Sequence, residues 1–366
     1  METAIDSIAL PVHQSDPIAP LRASVVIVNY NAGEKLLRCL ESVTRSADED
    51  CEIVVVDNAS TDGIADIIGR DFPQVILVRS GVNAGFGAGS NLGVKHARGD
   101  YIIFLNPDTV VERGWIEALL APLDLDARAG LTTAKILLVD DPSRINACGN
   151  DVHFTGLTLC RGLGRSREQF DEPEEVGAVS GAAFAIRREL FASLGGFDED
   201  TFLYMEDTDL SWRARLSGWR CVYAPESIVL HEYSLRITPK KIFYQERNRY
   251  LMLLKNLRWP TLVILAPALV LAEAITWSFV VLRDRANFRN KLRAYGWILS
   301  NRRLIMKKRK AVQSLRKATD RELLQHTTYN LDFDQAASGV AAKLARFVFN
   351  PIFFVLKNIT MAIVWW

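Results

Sequence analysis

Residues 24–63 read SVVIVNYNAGEKLLRCLESVTRSADEDCEIVVVDNASTDG, and their pattern decides the fold. Residues 24–30 form a continuous apolar run ending in polar residues, as suits a parallel strand buried on both faces. A helix is expected from Gly33 to Val43, with Leu36, Leu37 and Leu40 on one side. EIVVVDN (52–58) repeats the strand signature, and Asp62 is placed to cap the next helix. Further along, VILV (75–78) reads as a third strand. NAGFGAGSNLG (83–93) reads as a glycine-rich turn leading into a helix through Val94 and Ala97. YIIFLN (101–106) is a fourth strand, and a helix is expected over about 112–123. Strands and helices alternating at this spacing imply an α/β, doubly wound sheet, whose ligands bind beyond the carboxyl ends of the strands. Asn29, Asp57 and Asp108 all fall at or just past such ends, which points to one shared site.

Past Gly130 the regular alternation stops. Residues 131–160 read as short strands with turns. Residues 161–176, polar and glycine-containing, read as a mobile loop able to close over a substrate. A strand (182–188) and a short helix (189–194) lead into GGFDEDTFLYMEDTDLSWRARLSGW (195–219). This stretch sets Glu206 and Asp207 at the start of a helix, just after Phe202 and Tyr204. Helix N-termini favour acids electrostatically, so the pair alone reads equally as a cap or as a proton acceptor. Two closing strands (221–224 and 227–232) and a helix from Pro239 to Asn256 are expected next.

The motifs VVIVNYN (25–31), VVVDNASTDG (54–63), NAGFGAGSNLG (83–93), FLNPDTVV (104–111), SGAAFAIRRELFASLGGFDE (180–199), FLYMEDTDLSWRARLSGW (202–219) and VLHEYS (229–234) occur in a specific order and spacing. Together they resemble an inverting glycosyltransferase of the GT-A fold, sequence family 2, in its rhamnosyltransferase and galactofuranosyltransferase branch. The resemblance covers about residues 22–258. It implies a nucleoside diphosphate sugar donor, best read as dTDP-rhamnose, with UDP-galactofuranose or a UDP-hexose open. It also implies a saccharide acceptor, lipid-linked as in surface polysaccharide or cell-wall synthesis. A divalent cation, Mg²⁺ or Mn²⁺, is implied to neutralise the diphosphate leaving group.

By the same resemblance Asp57 matches the residue that bonds the pyrimidine base, with Asn29, Asn58 and Asp62 shaping that pocket. Asn83, Gly85 and Asn91 belong to the loop beneath the nucleotide and donor sugar. Asn106-Pro107-Asp108 stands where the family has its DxD metal motif, so Asn106 replaces the first acid and Asp108 is the metal ligand. His231 matches an additional metal ligand. Asp207 matches the general base, and Glu206 would orient the acceptor. Taken singly, Asp108 reads as a turn residue after Asn-Pro, Asp57 equally as an Asx-turn or a site residue, and His231 as a satisfied strand histidine.

Two other readings remain at this level. One is a non-catalytic scaffold of the same fold, which Asn106 slightly favours. The other is a sugar nucleotidyltransferase, although NYNAGEKLL after the first strand lacks the glycine-rich, basic loop such enzymes carry. GFGAGS is a poor dinucleotide fingerprint, because Ser90 stands at the third glycine position and the run follows the third strand.

The chain has 366 residues, 49% hydrophobic and 24% charged, enough for a large folded domain with an appendage. A net charge of +1 argues against nucleic acid as a partner. The five scattered cysteines form no CxxC pair and read as buried thiols in a reducing compartment. Residues 1–21 lack a signal-peptide pattern and read as a flexible tail; 22–258 would be the catalytic domain and 259–366 a helical, membrane-associating region. Residues 260–282 carry one charge, Glu273, and as a helix would reach roughly 34 Å. Residues 347–366 are also apolar. Crossing the bilayer at 260–282 would put the basic stretch 283–321 outside, against the positive-inside rule. The expectation is therefore a peripheral or monotopic protein on the cytoplasmic leaflet, its basic residues facing anionic headgroups. A soluble appendage or a homo-oligomer interface is the plainer alternative for this apolar surface.

Overall fold

The computed structural model describes residues 21–233, 239–283, 285–335 and 340–366. The expected N-terminal tail lies outside the described residues except for Leu21, as does Ser234 of the last motif. Strands β1 (Ala23–Asn29), β2 (Cys51–Asp57), β3 (Val75–Arg79) and β4 (Tyr101–Leu105) alternate with helices α1 (Glu34–Thr44), α2 (Ile64–Asp71) and α3 (Phe86–Val94). All seven residues of β1 are buried, because the strand is covered on both faces. Val25 and Ile27 point into one apolar cluster and Val26 into another, as the two-residue period of a strand dictates.

Four more strands and a helix follow: β5 (Thr109–Val111), α4 (Trp115–Leu125), β6 (Ala129–Leu138), β7 (Ile145–Ala147) and β8 (Asn150–Val152). Then come β9 (Thr158–Cys160), β10 (Glu174–Glu175), β11 (Ala183–Arg187), α5 (Arg188–Ser193), α6 (Glu206–Leu216), β12 (Arg220–His231) and α7 (Pro239–Asn256). The main sheet runs β10-β12-β6-β11-β4-β1-β2-β3. β1 is parallel to β2 and to β4, with Asn29 level with Asp57 and Ile27 level with Leu105. β2 and β4 lie on opposite sides of β1, so the strand order reverses there, and in such sheets ligands bind beyond the carboxyl ends at this point.

Several expectations need correction. Residues 129–138 make one long buried strand in the middle of the sheet, so short strands begin only at β7. The two closing strands are one, β12, which continues through a register shift between Ala224 and Ile228. The helix expected from 112 starts at Trp115, because residues 109–111 pair with β12 instead. The 161–176 segment is tied down. Ile145 N donates to Arg165 O at 2.9 Å, Lys135 Nζ pairs with Asp171 at 2.7 Å, and Arg161 pairs with Glu174. Some charged groups of the segment thus pair within the fold, while Arg165, Glu168 and Glu172 stay exposed.

The chain continues into α8 (Trp259–Arg283), α9 (Phe288–Ser300), α10 (Arg302–Ser314), α11 (Asp320–Gln325) and α12 (Val340–Ile363). A third apolar cluster joins Trp212 and Leu216 of α6, Leu253 of α7, Leu265 and Ala268 of α8 and Phe353 of α12. The C-terminal helices therefore share a core with the element that starts at Glu206.

Candidate active site

At the carboxyl ends of β1 and β2 the loops are cross-linked by short polar side chains. Asn29 Nδ2 donates to Asp57 Oδ1 at 3.1 Å and to Ser60 Oγ at 3.0 Å. Asn31 and Ala59 adopt positive φ, a backbone region that non-glycine residues seldom enter. Asp62 does not cap α2 in the expected way. Its Oδ2 accepts from Gly33 N at 3.0 Å and its Oδ1 from Ile64 N at 3.3 Å, so it ties the β1 loop to the start of α2.

Asn58 organises the next loop. Its Nδ2 donates to Asn83 Oδ1 at 3.1 Å and Gly85 O at 3.0 Å, and its Oδ1 accepts from Ala84 N at 3.1 Å. Gly85 has φ +87°, and a Cβ there would stand 2.2 Å from Phe202 O, so only glycine fits. Phe86 N donates to that same carbonyl at 2.8 Å. Asn91 commits its amide to the backbone ahead of Asp207: Nδ2 donates to Phe197 O and Glu199 Oε1, each at 3.0 Å, and Oδ1 accepts from Phe197 N at 2.9 Å. Asn58 and Asn91 thus shape the loops, and their side-chain groups are engaged by protein.

Asp108 and His231 meet at the edge of the sheet, His231 Nε2 lying 3.3 Å from Asp108 Oδ1. Pairing of β5 with β12 aligns them, with Thr109 opposite His231. Asn146 Oδ1 sits 2.8 Å from His231 Nδ1, which holds the ring between the asparagine and the carboxylate. Burial opposes ionisation of Asp108, but the His231 ring and Lys35 hold it below the usual carboxylate range. Among the described residues no group of three or more His, Cys, Asp or Glu side chains converges on one point.

Glu206 and Asp207 begin α6, behind a segment in which Phe202, Tyr204 and Met205 all have positive φ. Such strain persists only where surrounding contacts over-determine it. They do here: Asn248 Nδ2 lies 3.0, 2.9 and 2.7 Å from the carbonyl oxygens of Thr201, Leu203 and Tyr204. Arg247 donates to Thr201 O at 2.6 Å.

Asp207 accepts from Gly181 N at 2.8 Å, Asn150 Nδ2 at 3.0 Å, and Thr208 N at 2.7 Å. Glu206 is buried, and its Oε2 has no hydrogen-bond partner. Burial, then the charge of Asp207, pushes Glu206 up to about 8. Burial also raises Asp207, but the donors around it favour its charged form. The two neighbouring carboxyls thus sit in different surroundings, Asp207 among three donors and Glu206 with an unpartnered oxygen. Asn106 stands between the two halves, its N donating to Ala182 O at 2.9 Å, one residue from Gly181.

Asn146, Asn150, Gly181, Arg247 and Asn248 were not singled out in the sequence. Asn146 and Asn150 lie in NACGN and Asn248 in ERNRY, and nothing local distinguishes them.

The mostly parallel sheet with its flanking helices is that of a GT-A glycosyltransferase. The profile of glycosyl transferase family 2 matches residues 24–195. N-acetylglucosaminyl-diphospho-decaprenol L-rhamnosyltransferase of Mycobacterium tuberculosis is 32% identical over 229 residues, 57% of this chain and 75% of that protein. The chain belongs to glycosyltransferase family 2. Pre-mycofactocin glycosyltransferase of the same organism is 27% identical over 240 residues, 63% of this chain and 48% of the relative. Among solved structures, S. aureus TarS 1-349 matches with a TM-score of 0.54 at 15% identity, covering 92% of this chain and 90% of that one. GalNAc-T7, determined with UDP, GalNAc and Mn²⁺, matches with a TM-score of 0.54 at 23% identity, covering 64% and 48%. These two likenesses concern the fold.

Proposed function

We propose that this glycosyltransferase transfers L-rhamnose, with inversion, from dTDP-rhamnose to a lipid-linked saccharide at the cytoplasmic face of the membrane. The product would enter surface polysaccharide or cell-wall synthesis. The choice of sugar and acceptor leans on the mycobacterial rhamnosyltransferase, whose name specifies a diphospho-decaprenol acceptor. The observation that carries the chemistry is the link between two carboxylates: Gly181 N donates to Asp207, and Ala182 beside it accepts from Asn106 in the loop that bears Asp108.

In this reading residues 22–258 carry catalysis and 259–366 attach the enzyme to the membrane. Asp57 would meet the pyrimidine base, with Asn29, Asn58 and Asp62 fixing the loops around it. Asn83, Gly85 and Asn91 would support the sugar and nucleotide from below, and Asn106 would line the diphosphate. Asp108 and His231 would hold a divalent cation, which when bound neutralises charge on the leaving diphosphate. A set containing an imidazole nitrogen favours Mn²⁺ over Mg²⁺, which prefers oxygen.

Asp207 would accept the proton of the acceptor hydroxyl as that oxygen bonds to the anomeric carbon. The bond from that carbon to the diphosphate oxygen breaks, and its electron pair leaves with the nucleoside diphosphate. The Thr208 hydroxyl contact to Asp207, at 3.3 Å, is its longest, and the acceptor would displace it most easily. Neutral Glu206 would donate to another acceptor oxygen.

The test is a calorimetric donor screen with and without Mn²⁺, followed by transfer to N-acetylglucosaminyl-diphospho-polyprenol. Tight binding of dTDP-rhamnose and formation of the disaccharide lipid are expected. Preference for a UDP-sugar would replace the donor, and failure of every donor to react would end the reading.

A further inference from the structure

Helices α8 and α12 are apolar on both sides but buried on one only. On α8, Leu265, Ala268 and Ala272 are buried, whereas Val263 is 73% and Val270 69% exposed. On α12, Phe353 is buried, whereas Phe347 is 85% exposed and Trp365, just past the helix, 75%. The two helices pack together, and Trp366 Nε1 donates to Thr261 Oγ1 at 2.9 Å. Their outer sides form one broad apolar face, larger than a soluble monomer ordinarily leaves in water.

A cationic border adjoins that face. Arg309 stacks over Trp259 of α8 at 4.4 Å, bringing α10 alongside. Phe288 of α9 meets Trp277 of α8 with ring centroids 5.1 Å apart. Outward from this contact α10 exposes Arg303, Lys307 and Lys310, and α9 exposes Arg289 and Arg293 beside Leu292. Not all of the basic stretch faces outward, as the sequence suggested. Lys308 pairs with Asp198 and Asp200, Arg309 donates to Leu254 O at 2.6 Å, and Arg316 pairs with Asp320 at 2.8 Å. The inward cations hold the helix on the fold and the outward ones remain for a partner.

Both helices have the length and composition to cross a bilayer, yet each is pinned to the same body at both ends. Before α8, residues Leu254 to Asn256 bond to Arg309 and Gln313, which follow it. A single crossing by α8 would separate these partners by a membrane. Asp320 N donates to Trp366 O at 2.7 Å, and Asn350 Oδ1 accepts from Leu331 N at 3.1 Å, which fastens α12 in the same way. Glu273, the one acid of α8, is turned inward. Tyr250 and Tyr295 donate to it at 2.5 Å each, and Lys291 stands 3.2 Å away.

We propose that the α8–α12 face lies in the plane of an anionic lipid bilayer, sunk at the headgroup boundary, with the outward cations of α9 and α10 on the phosphate layer. An apolar face bordered by Lys and Arg is complementary to such a surface. The proposal deepens the membrane reading above and rests on it for the side of the membrane, not for the surface itself.

The full-length protein is floated with vesicles of phosphatidylcholine, alone or mixed with phosphatidylglycerol. It should associate with the mixed vesicles, and brominated lipid should quench its tryptophan fluorescence, a readout that needs no variant. Val263→Glu with Phe347→Glu should abolish flotation while melting temperature and donor binding stay unchanged, since both sites are exposed. Arg303→Glu with Lys307→Glu and Lys310→Glu should weaken association with anionic vesicles by about a hundredfold. The proposal fails if the variants float like the parent and brominated lipid leaves the tryptophans unquenched. It also fails if the apolar variant only converts a dimer to a monomer in light scattering, or if protease reaches part of α8 from the far side of a sealed vesicle. Loss of flotation with intact donor binding separates this surface from the catalytic reading.

Discussion

Gly181 donates its backbone N–H to Asp207 Oδ2 at 2.8 Å. The next residue, Ala182, accepts the backbone N–H of Asn106 at 2.9 Å. Two hydrogen bonds and one peptide therefore join the loop bearing Asp108 to the helix bearing Asp207. A Cβ at 181 would stand 3.2 Å from Asp207 Oδ2, so the close approach depends on glycine.

Asp207→Asn keeps the shape of the side chain but cannot take a proton. Turnover should fall by roughly 10²–10⁴-fold while donor affinity stays near that of the parent. Calorimetry and single-turnover transfer measure the two separately. Near-parental turnover would remove Asp207 as the base.

The pairing of Asp108 with His231 makes a metal prediction. Asp108→Ala and His231→Ala should each remove the enhancement of donor binding by Mn²⁺, with little change in chelator. Asn146→Ala frees the His231 ring and should weaken Mn²⁺ binding by about 10–100-fold. A titration of donor affinity against Mn²⁺ tests all three; identical curves would refute the metal role.

Glu206 makes stability depend on pH. Its folded carboxyl is raised from 4.5 to about 8, so the native state holds a proton that the unfolded chain releases. The contribution of this group to stability should decline as pH rises above 4.5 and level off above about 8. The full effect is on the order of 4 kcal/mol. Glu206→Gln should flatten that part of the profile in denaturant melts taken across the range. Asp198 acts in the opposite sense. Burial disfavours its charge, but Lys255 and Lys308 hold it below the usual range, so its stabilisation is lost on acidification. A Glu206→Gln profile superimposed on the parent would contradict the buried, proton-holding assignment.

Asn248→Ala removes the donors from the carbonyls of Thr201, Leu203 and Tyr204. Leaving buried acceptors unpaired should cost about 1–3 kcal/mol of stability. The positive φ values at Phe202, Tyr204 and Met205 should relax, so turnover should drop while donor affinity falls little. Parental turnover in a destabilised variant would show that Asn248 supports the fold without positioning the carboxylates.

The alternation from residue 24 to 106 was legible because an apolar strand and an amphipathic helix are written in neighbouring residues. So were the ends of β1 and β2, where Asn29 and Asp57 interrupt apolar runs. The start of α6 at Glu206 was legible from the acids behind its glycine turn. Reading failed where a local signal was overruled at a distance. Residues 221–224 and 227–232 read as two strands, yet pairing with β6 on both sides of the register shift makes them one, β12. The charges of 161–176 suggested a free loop, and ion pairs to Lys135 and across the loop bind it down.

By itself the sequence determined the α/β layering and the family, since each is encoded in short runs and their order. The tertiary structure alone decided which asparagines serve the site. Asn146 finds His231 and Asn150 finds Asp207 only after strands far apart in the chain are brought together. It also decided which cations of 302–321 turn inward to carbonyls and acids. A side chain's hydrogen-bond partner is fixed by the packing of whole elements, and no window of neighbouring residues contains that information.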